Sequence, residues 1–503
     1  MNSSSLSRAA GAGAGRIHSL AFVPWSSRRS GRTGRGTRHE CACATASPKT
    51  FLRFQVKAKA TASTQETGNG NGNGNGYNGK KKKVVVLGGT GRVGSATAAA
   101  IIRESRKAAS ESKGEREEKE ESSSASIASN ASNALRGVDV VISGRRPEKV
   151  KEVRELWPDE LRAVAYEQCD INDPESLDRV LDSADLVIHA AGPFQQTSSC
   201  SVLEAAIRNK VGYIDVCDDT EHTQRAKATL AKAAQESGIP AVVSCGVYPG
   251  LSNVMASYMC DAGSPFPENK PLKLRFSYFT AGSGGVGATI LATSVLLLGE
   301  KVTQFVEGKR QQKEPYAERN VVEFGQKIGK REVFGLNLPE VLTAHEILGI
   351  PNVSAYFGTS PGIWNFMMQK MAQLLPVSLL QNRDFANGLA QVIMPLVVAV
   401  DKLVGKTTAM RIDVKYDNDK TSSSLFVHKD TAYTAGTSTA AFAAALLSGK
   451  VPAGVHFPEE RCVIQDYEAF FRLASDETTI FAVAQAPWRL EKIQKRIILG
   501  LYW

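Results

Sequence analysis

Acidic residues are almost missing from the first part of this chain. Only Glu40 and Glu66 occur among the first 83 residues, against 15 Lys and Arg. This stretch also lacks the apolar core of a secretory signal, and its Ser-, Arg- and Ala-rich composition is typical of transit peptides. Residues 1–62 are therefore predicted to be a transit peptide for the chloroplast stroma rather than the mitochondrion, with a disordered basic arm as the alternative. The Gly/Asn-rich residues 63–82 are predicted to be a flexible linker.

Excess positive charge is absent from the rest of the chain. The first 83 residues, called the leader below, account for the net charge of +10, because the remaining residues carry 46 Lys and Arg against 49 Asp and Glu. A body with a slightly negative balance gives no electrostatic reason to expect a nucleic-acid partner. The charge balance therefore predicts no binding to nucleic acid.

Paired cysteines and long uninterrupted apolar runs are also missing. The six cysteines after the leader are scattered without a C-x-x-C pair, which predicts neither a metal site nor a redox pair. Residues 388–400 are apolar but are broken by Gln391 and Pro395, and about 20 residues are needed to span a bilayer. We expect a buried helix or a homodimer interface there, with contact to a membrane surface as the alternative.

The most informative stretch begins at Lys83. A run of β-branched residues, typical of a buried parallel strand, is followed by a glycine-rich turn and then by apolar residues at helical spacing. This is the context that a dinucleotide-binding fingerprint requires. Glycines allow backbone N–H groups to approach a pyrophosphate at the positive end of the helix. The predicted cofactor-binding residues are Gly88, Gly89, Thr90, Gly91, Arg92, Val93 and Gly94.

The end of the second strand, Val138–Ile142, indicates which dinucleotide is bound. A site for NAD usually has a carboxylate there for the ribose 2′-hydroxyl, but this chain has Arg145 and Arg146. Guanidinium groups can bind a 2′-phosphate through paired hydrogen bonds, whereas a carboxylate would repel it. We therefore predict NADP(H) as the cofactor, although the arginines of a solvated surface turn would look the same.

Two further strand ends complete the predicted cofactor site. Asp170 and Ile171 follow the third strand, where they could lie beside the adenine. The fourth strand runs into Ala191, Gly192 and Pro193, a turn that would let the backbone pass close to the nicotinamide ribose.

Strand and helix alternate throughout this half of the chain, apart from residues 107–133. Those residues are charged and then Ser/Ala-rich, and they are predicted to be a disordered insertion, with a solvated helical extension as the alternative for the charged half. The alternation predicts an α/β fold, a Rossmann doubly wound parallel sheet over residues 83–255. Residues 256–503 are predicted to form a second α/β (α+β) domain for substrate binding and dimerisation, with C-terminal helices packing back on the core.

Four signatures, in this order, resemble those of the saccharopine dehydrogenase-like oxidoreductases, and more narrowly their plant and algal chloroplast members. They are the Gly-Gly-Thr-Gly-Arg-Val-Gly turn, Ala191–Phe194, Tyr213-Ile-Asp215 and Gly246–Asn253. The resemblance covers Val84 to about Asn253 and continues more faintly around residues 454–459. It implies an NADP-binding Rossmann domain followed by a domain that shapes the substrate site and often dimerises.

Tyr213 and Asp215, at the end of a strand, are the predicted catalytic residues, for proton transfer or for orienting the substrate. Their alternative role is structural. The chain departs from the family directly afterwards, because Cys217-Asp218-Asp219 stands where a Gly-Glu pair is common. The resemblance implies hydride exchange with an imine, an amino-acid adduct or an enoyl lipid. The alternative is a protein that binds NADP(H) without turnover, as a redox sensor or a scaffold.

Overall fold

The computed structural model describes residues 81–114, 133–282, 287–491 and 497–498. The predicted transit peptide, nearly all of the predicted linker and most of the predicted insertion lie outside the described residues.

A seven-stranded parallel sheet forms the first layer of the fold, as the strand–helix alternation predicts. Its order is β15-β6-β5-β4-β1-β2-β3. Strands β2 and β3 are added on one side of β1 and β4 on the other, so the switch point lies between β1 and β4. Ligands of such sheets bind outside the carboxyl ends of the strands at this switch point. The strands are β1 Lys83–Leu87, β2 Asp139–Gly144, β3 Ala165–Gln168, β4 Leu186–His189, β5 Gly212–Asp215, β6 Pro240–Val242 and β15 Gly454–His456.

Helices cover both faces of this sheet. Val84, Val86, Ile188 and Ile214 pack into one hydrophobic cluster, whereas the intervening Val85, Val187 and Tyr213 pack into another, as strands buried on both faces require. The helices of this half are α1 Arg92–Gly114, α2 Lys149–Leu156, α3 Pro174–Leu181, α4 Ser201–Asn209, α5 Thr220–Glu236 and α6 Leu251–Cys260.

A ten-stranded mixed sheet forms the second half of the fold. Its central strand β7 pairs in parallel with β12 and antiparallel with β13. The order is β10-β11-β12-β7-β13-β14-β16-β17, with β8 on β12 and β9 on β8. The strands are β7 Pro271–Ala281, β8 Val302–Val306, β9 Lys309–Lys313, β10 Arg319–Glu323, β11 Lys330–Gly335, β12 Asn352–Ser360, β13 Thr407–Tyr416, β14 Thr421–His428, β16 Ile480–Gln485 and β17 Ile497–Ile498.

Seven helices of the second half fall into two groups by the cluster they share, and α14 contributes Leu490 to a third cluster. Helices α7, α9, α10 and α11 share one hydrophobic cluster, whereas α8, α12 and α13 contribute to the large cluster that includes the first sheet. Their bounds are α7 Ala288–Leu297, α8 Pro339–Leu348, α9 Ile363–Leu374, α10 Val377–Leu380, α11 Arg383–Val404, α12 Thr431–Leu447, α13 Tyr467–Ala474 and α14 Pro487–Leu490.

The predicted insertion starts too early. Helix α1 continues through residues 107–114 instead of ending near Arg106. Lys107 pairs with Glu104 and Asp476, and Ala108 is buried, so this part of the helix is held by tertiary contacts. The structure therefore contradicts the insertion prediction for residues 107–114, which form the last two turns of α1.

The C-terminal part of the chain returns to the first sheet. Strand β15 pairs in parallel with β6 and is its edge strand, although it lies within residues 256–503, which were predicted as a separate domain. Helix α12 packs on α1 so closely that a Cβ at Gly436 would lie 2.6 Å from the carbonyl carbon of Ala96. Helix α12 thus lies against the first half of the fold, and β15 adds to the first sheet a strand that was not expected.

Candidate functional site

The glycine-rich turn between β1 and α1 leaves no room for side chains. Gly88 has φ of +79°, and a Cβ there would lie 2.6 Å from the carbonyl carbon of Ala190. A Cβ at Gly94 would lie 2.2 Å from the carbonyl oxygen of Gly88. The backbone N–H of Gly91 donates to that same oxygen at 2.8 Å. The turn therefore forms a tight backbone cradle at the switch point, and this geometry fits the pyrophosphate of a dinucleotide.

The remaining fingerprint residues lie where α1 begins. Thr90 lies in the turn, and Arg92 and Val93 are the first residues of α1, whose N-terminus carries partial positive charge. The second half of the fold approaches here too, because a Cβ at Gly287, just before α7, would lie 3.6 Å from Cδ of Arg92. The start of α7 thus lies beside the cradle, and we call the region between them the cleft.

The predicted 2′-phosphate residues lie at the carboxyl end of β2. Arg145 and Arg146 are both exposed, and neither forms an ion pair within the described part of the chain. Their strand end is held by Ser143, whose hydroxyl donates to the carbonyl of Glu167 at 2.7 Å. The backbone N–H of Gly89 donates to the carbonyl of Ser143 at 2.9 Å, which joins this strand end to the glycine turn. The structure thus brings the arginines and the cradle to the same edge of the sheet.

The two other groups of predicted cofactor residues lie on the same edge. Asp170 accepts hydrogen bonds from the backbone N–H and the side chain of Asn172, at 3.0 and 3.1 Å. The carbonyl of Ile171 accepts a hydrogen bond from Ser201 at the start of α4. Ala191, Gly192 and Pro193 follow β4, whose end is tied to the glycine turn by the bond from Ala190 N–H to the carbonyl of Leu87 at 2.8 Å.

The predicted catalytic pair is buried and hydrogen-bonded within the protein. Tyr213 is 1% exposed and Asp215 is 0% exposed. One carboxylate oxygen of Asp215 accepts from the backbone N–H groups of Cys217 and Ser244, at 3.0 and 2.6 Å. The other accepts from the Tyr213 hydroxyl at 2.9 Å. The two side chains are thus hydrogen-bonded to each other, while their catalytic role stays a prediction.

His189 extends this pair into a chain of three groups. Its Nδ1 lies 3.2 Å from the Tyr213 hydroxyl. Because the tyrosine proton is directed to Asp215, the histidine must donate from Nδ1, so that its Nε2 is an acceptor. That Nε2 is buried and has no hydrogen-bond partner among the described residues. Burial lowers the pKa of His189 to about 3, so the ring is neutral at physiological pH.

The contact of His189 with Tyr213 was not predicted from the sequence. The signal lay in the sheet: β4 and β5 are parallel neighbours, and His189 pairs in register with Asp215. Side chains at matching positions of neighbouring strands lie on the same face, so Tyr213 could reach His189. That register depends on tertiary structure and could not be read from either strand alone.

A second chain of polar groups crosses the cleft. The Gln195 amide donates to Asp218 at 2.8 Å, and its oxygen accepts from Thr293 of α7 at 3.2 Å. Burial raises the pKa of Asp218 to about 6 and that of Glu300 to about 7, so both carboxyl groups can exchange protons near neutral pH. Asp219, by contrast, caps α5 by accepting from the backbone N–H of His222 at 2.6 Å.

One group of residues has the ligand types of a metal site. Atoms of His456, Glu460 and Cys462 that could bind a metal lie within 4.8 Å of one another. However, Lys227 already pairs with the Glu460 carboxylate, and the His456 Nε2 lies 3.1 Å from the carbonyl oxygen of Pro452. These contacts account for the three side chains as an ion-pair network, and we assign no metal to them.

The fold and the glycine cradle define a dinucleotide-binding α/β protein with a Rossmann domain. Residues 84–242 match the domain family described as "Saccharopine dehydrogenase NADP binding domain". This part of the chain is therefore an NADP-binding domain of the saccharopine dehydrogenase type, and its cofactor is NADP(H). The residues that surround the cradle agree with that assignment, since arginines rather than a carboxylate follow β2.

Two proteins of known name have sequences similar to part of this chain. Two proteins named "Saccharopine dehydrogenase-like oxidoreductase" are related: the one from Mus musculus is 29% identical over 111 residues, or 21% of this chain and 26% of its own. The one from Rattus norvegicus is 28% identical over 158 residues, or 30% of this chain and 35% of its own. The matched segments thus span only about a quarter to a third of those relatives.

A solved structure shares the fold of both halves. Saccharopine dehydrogenase (L-Glu forming) from Saccharomyces cerevisiae superposes with a TM-score of 0.51 at 13% identity. The superposition covers 79% of this chain and 97% of that protein. At this identity the similarity shows a common fold, a Rossmann domain followed by a second domain built on a mixed sheet.

Proposed function

We propose that this protein is an NADP(H)-dependent oxidoreductase of the saccharopine dehydrogenase-like type, which exchanges a hydride with a small molecule. The observation that carries the proposal is the NADP-binding domain, whose glycine cradle opens on a cleft bounded by the second half of the fold. A cofactor site inside such a cleft leaves space for a substrate beside the nicotinamide. The signatures described above favour the plant and algal chloroplast members, with the stroma as the compartment.

The proposed substrate is an imine, an amino-acid adduct or an enoyl lipid, as the family resemblance implies. Bound NADP(H) supplies the hydride chemistry. We assign to Tyr213 and Asp215 the task of holding His189 in one tautomer, since the chain of hydrogen bonds among them is complete. We assign proton exchange to Asp218 and Glu300, because carboxyl groups with a pKa near neutrality can act as acid or as base.

A second candidate function has its own supporting observation. Every hydrogen bond of the Asp215 carboxylate is made within the protein, to Tyr213, Cys217 and Ser244. A carboxylate satisfied in this way suits a structural role. The protein would then bind NADP(H) as a redox sensor or scaffold without turnover.

Hydride transfer separates these candidates. We would incubate the full chain with NADPH carrying deuterium at C4 and with an imine, an amino-acid adduct or an enoyl thioester, and measure deuterium in the product. Transfer to one of the three classes supports the oxidoreductase, and an Asp218→Asn variant should then lose at least tenfold in kcat. Tight NADPH binding with no transfer to any class favours the second candidate, whereas absence of NADPH binding contradicts both.

Saccharopine itself is expected to be a poor substrate. It carries three carboxylates, so its pocket should offer cations, whereas the cleft contains the carboxyl groups of Asp218 and Glu300. Arg275 of the second domain cannot easily compensate, because it is paired with Asp413 at 3.1 Å. We expect negligible reduction of NADP⁺ when saccharopine is added to protein that binds NADPH. Saturable turnover at sub-millimolar saccharopine would show that these carboxyl groups face away from the substrate.

A further inference from the structure

Large apolar side chains are exposed in one part of the second half. Of the thirteen large hydrophobic residues that are exposed in the described part of the chain, seven lie between residues 363 and 398. Two of them, Val392 and Leu374, are 78% and 75% exposed. We call this group the apolar surface; it consists of Ile363, Phe366, Leu374, Val377, Val392, Leu396 and Val398.

Three residues of the apolar surface, Val392, Leu396 and Val398, lie on helix α11. Helices α7, α9, α10 and α11 share a hydrophobic cluster, to which α11 contributes the buried Ala386 and Ala390. Val392 and Leu396 lie on the opposite side of α11, since they do not share the helical positions of those alanines. Helix α11 thus has a packed inner side and an apolar outer side, an arrangement unusual for a surface that faces only water.

Helix α11 is long and apolar enough to cross a membrane by length and composition, over Arg383–Lys402, and only 17% of its apolar window is buried. However, its inner side is packed on α7, so a spanning orientation would expose that core. Pro395 also lies inside the helix. These contacts favour a helix that lies along a membrane surface over one that crosses it.

Positively charged side chains outnumber carboxylates around the apolar surface. Residues 385–400 contain no charged side chain. The ends of α11 and the neighbouring helix carry Lys370, Arg383, Lys402 and Lys406, against Asp384 and Asp401. None of these four cations forms an ion pair with a carboxylate within residues 81–114, 133–282 and 287–491. Lys370 instead lies 5.7 Å from the ring centroid of Phe366.

We propose that the apolar surface binds to the surface of an anionic lipid bilayer, with α11 lying in the plane of the headgroups. Apolar side chains would enter the boundary of the acyl chains, while the long lysine side chains reach the lipid phosphates. An interface with a second copy of the chain would bring two such surfaces together, each with four cations against two carboxylates. A bilayer that carries negative charge suits them better.

Vesicle flotation tests this proposal on the full chain. The vesicles contain phosphatidylcholine with 30% phosphatidylglycerol, in 0.5 M NaCl, which screens the attraction of the basic leader for anionic lipid. We expect wild-type protein to float, and the double variant Val392→Glu/Leu396→Glu to lose at least fivefold in bound fraction. The matched control Leu156→Glu/Val321→Glu changes two equally exposed apolar residues elsewhere and should float as wild type does.

A second arm tests the cations at 0.1 M NaCl. The variant Lys402→Gln/Lys406→Gln should bind anionic vesicles more weakly, by about fivefold for each lysine, since one basic residue near the surface contributes about 1 kcal/mol. The control Lys151→Gln/Lys232→Gln, on exposed helix positions of the first domain, should bind as wild type does.

Several outcomes would overturn the proposal. Failure of the wild-type protein to float would do so, as would equal losses in the glutamate variants and in their controls. A dimer in light scattering that the Val392→Glu/Leu396→Glu variant converts to a monomer, without vesicle binding by wild type, would assign the surface to a second copy instead. Retained NADPH binding in each variant excludes misfolding as the cause of a loss.

Discussion

Gly88 and Gly94 belong to the same turn but are constrained differently. Gly88 needs its positive φ and also lies against the end of β4, whereas Gly94 lies against the carbonyl oxygen of Gly88 itself. A side chain at either position would move the backbone that forms the cradle. The spacing of the glycines in the sequence therefore reflects two separate close approaches of main chain to main chain.

We expect Gly94→Ala to weaken NADPH binding at least tenfold and to destabilise the fold by about 1–3 kcal/mol, the usual range for overpacking. The new Cβ would lie 2.2 Å from the Gly88 oxygen, so the turn has to shift. Fluorescence titration with NADPH and urea unfolding measure the two effects. Gly137→Ala is the control: its φ is +67° but no atom lies within 4 Å, so stability should fall while NADPH binding persists. An unchanged NADPH affinity in Gly94→Ala would contradict the assignment of the cradle.

Arg145 and Arg146 should determine the choice between NADPH and NADH. A charge-assisted contact contributes about 1.5–3 kcal/mol, so replacing both with Ala should remove most of the preference for NADPH and leave NADH affinity nearly unchanged. Calorimetric titration with each cofactor measures this, with Lys232→Ala on the exposed side of α5 as the control. Equal affinities of the two cofactors for the wild-type protein would refute the prediction.

At the scale of elements, two buried carboxyl groups join four segments of the chain. Glu340 of α8 accepts hydrogen bonds from Tyr278 of β7 and Ser252 of α6, at 2.7 and 3.3 Å. Glu459, just after β15, accepts from Asn253 of α6 at 3.1 Å. Each has a second oxygen that is buried without a partner among the described residues. Such groups favour the protonated form.

Stability should therefore fall as the pH rises toward 8. Burial raises the pKa of Glu340 and of Glu459 to about 7, above the ordinary value of 4.5. The folded state then holds protons that the unfolded state releases, so the stabilisation is complete below about pH 4.5 and is lost as the pH passes 7. In urea unfolding, the change in the free energy of unfolding between pH 5 and 8 should be smaller in Glu340→Gln or Glu459→Gln than in the wild-type protein, by about 2 kcal/mol.

Glu460 is the control of opposite sign. Burial alone would raise its pKa, but hydrogen bonds from His456 and Lys227 lower the pKa to about 2. Its stabilisation is present above about pH 4.5 and is lost as the pH falls toward 2. Glu460→Gln should therefore destabilise the protein at pH 7, where Glu340→Gln does not. The same flattening in all three variants would show that the buried carboxyl groups are not its origin.

At the scale of the whole molecule, the C-terminal third holds the two sheets together. Helix α12 packs on α1, and β15 extends the first sheet beside β6. Arg103 of α1 joins this contact by bonding to Glu160 and Asp476, with its guanidinium 5.3 Å from the ring centroid of Tyr433. The cleft that contains the cofactor cradle is therefore built by segments distant in sequence.

The predicted transit peptide determines where the mature protein should begin. If the acid-poor stretch is a transit peptide, protein isolated from its organelle should begin between roughly Ala44 and Gly79. N-terminal sequencing of the native protein measures this. Mature protein that still begins at Met1 would contradict both the transit peptide and the proposed stromal location.

Local patterns in the sequence determine the Rossmann half of this protein. Buried parallel strands are continuous apolar runs, and the glycines of the first turn have a fixed spacing because the backbone must approach a pyrophosphate. The prediction of NADP(H) follows from Gly88–Gly94 and from Arg145 and Arg146, and the NADP-binding match over residues 84–242 confirms the cofactor. These features are local, so a sequence can show them.

Tertiary structure alone decides which distant groups meet. The contact of His189 with Tyr213 depends on strand register, and the Asp218–Gln195–Thr293 chain depends on how α7 closes the cleft. The same is true of β15, whose three residues are too short to be recognised apart from the edge of the sheet that they join. The exposure of α11 is hidden in the sequence for a similar reason: an apolar helix has the same composition whether a core, a second copy or a bilayer covers it.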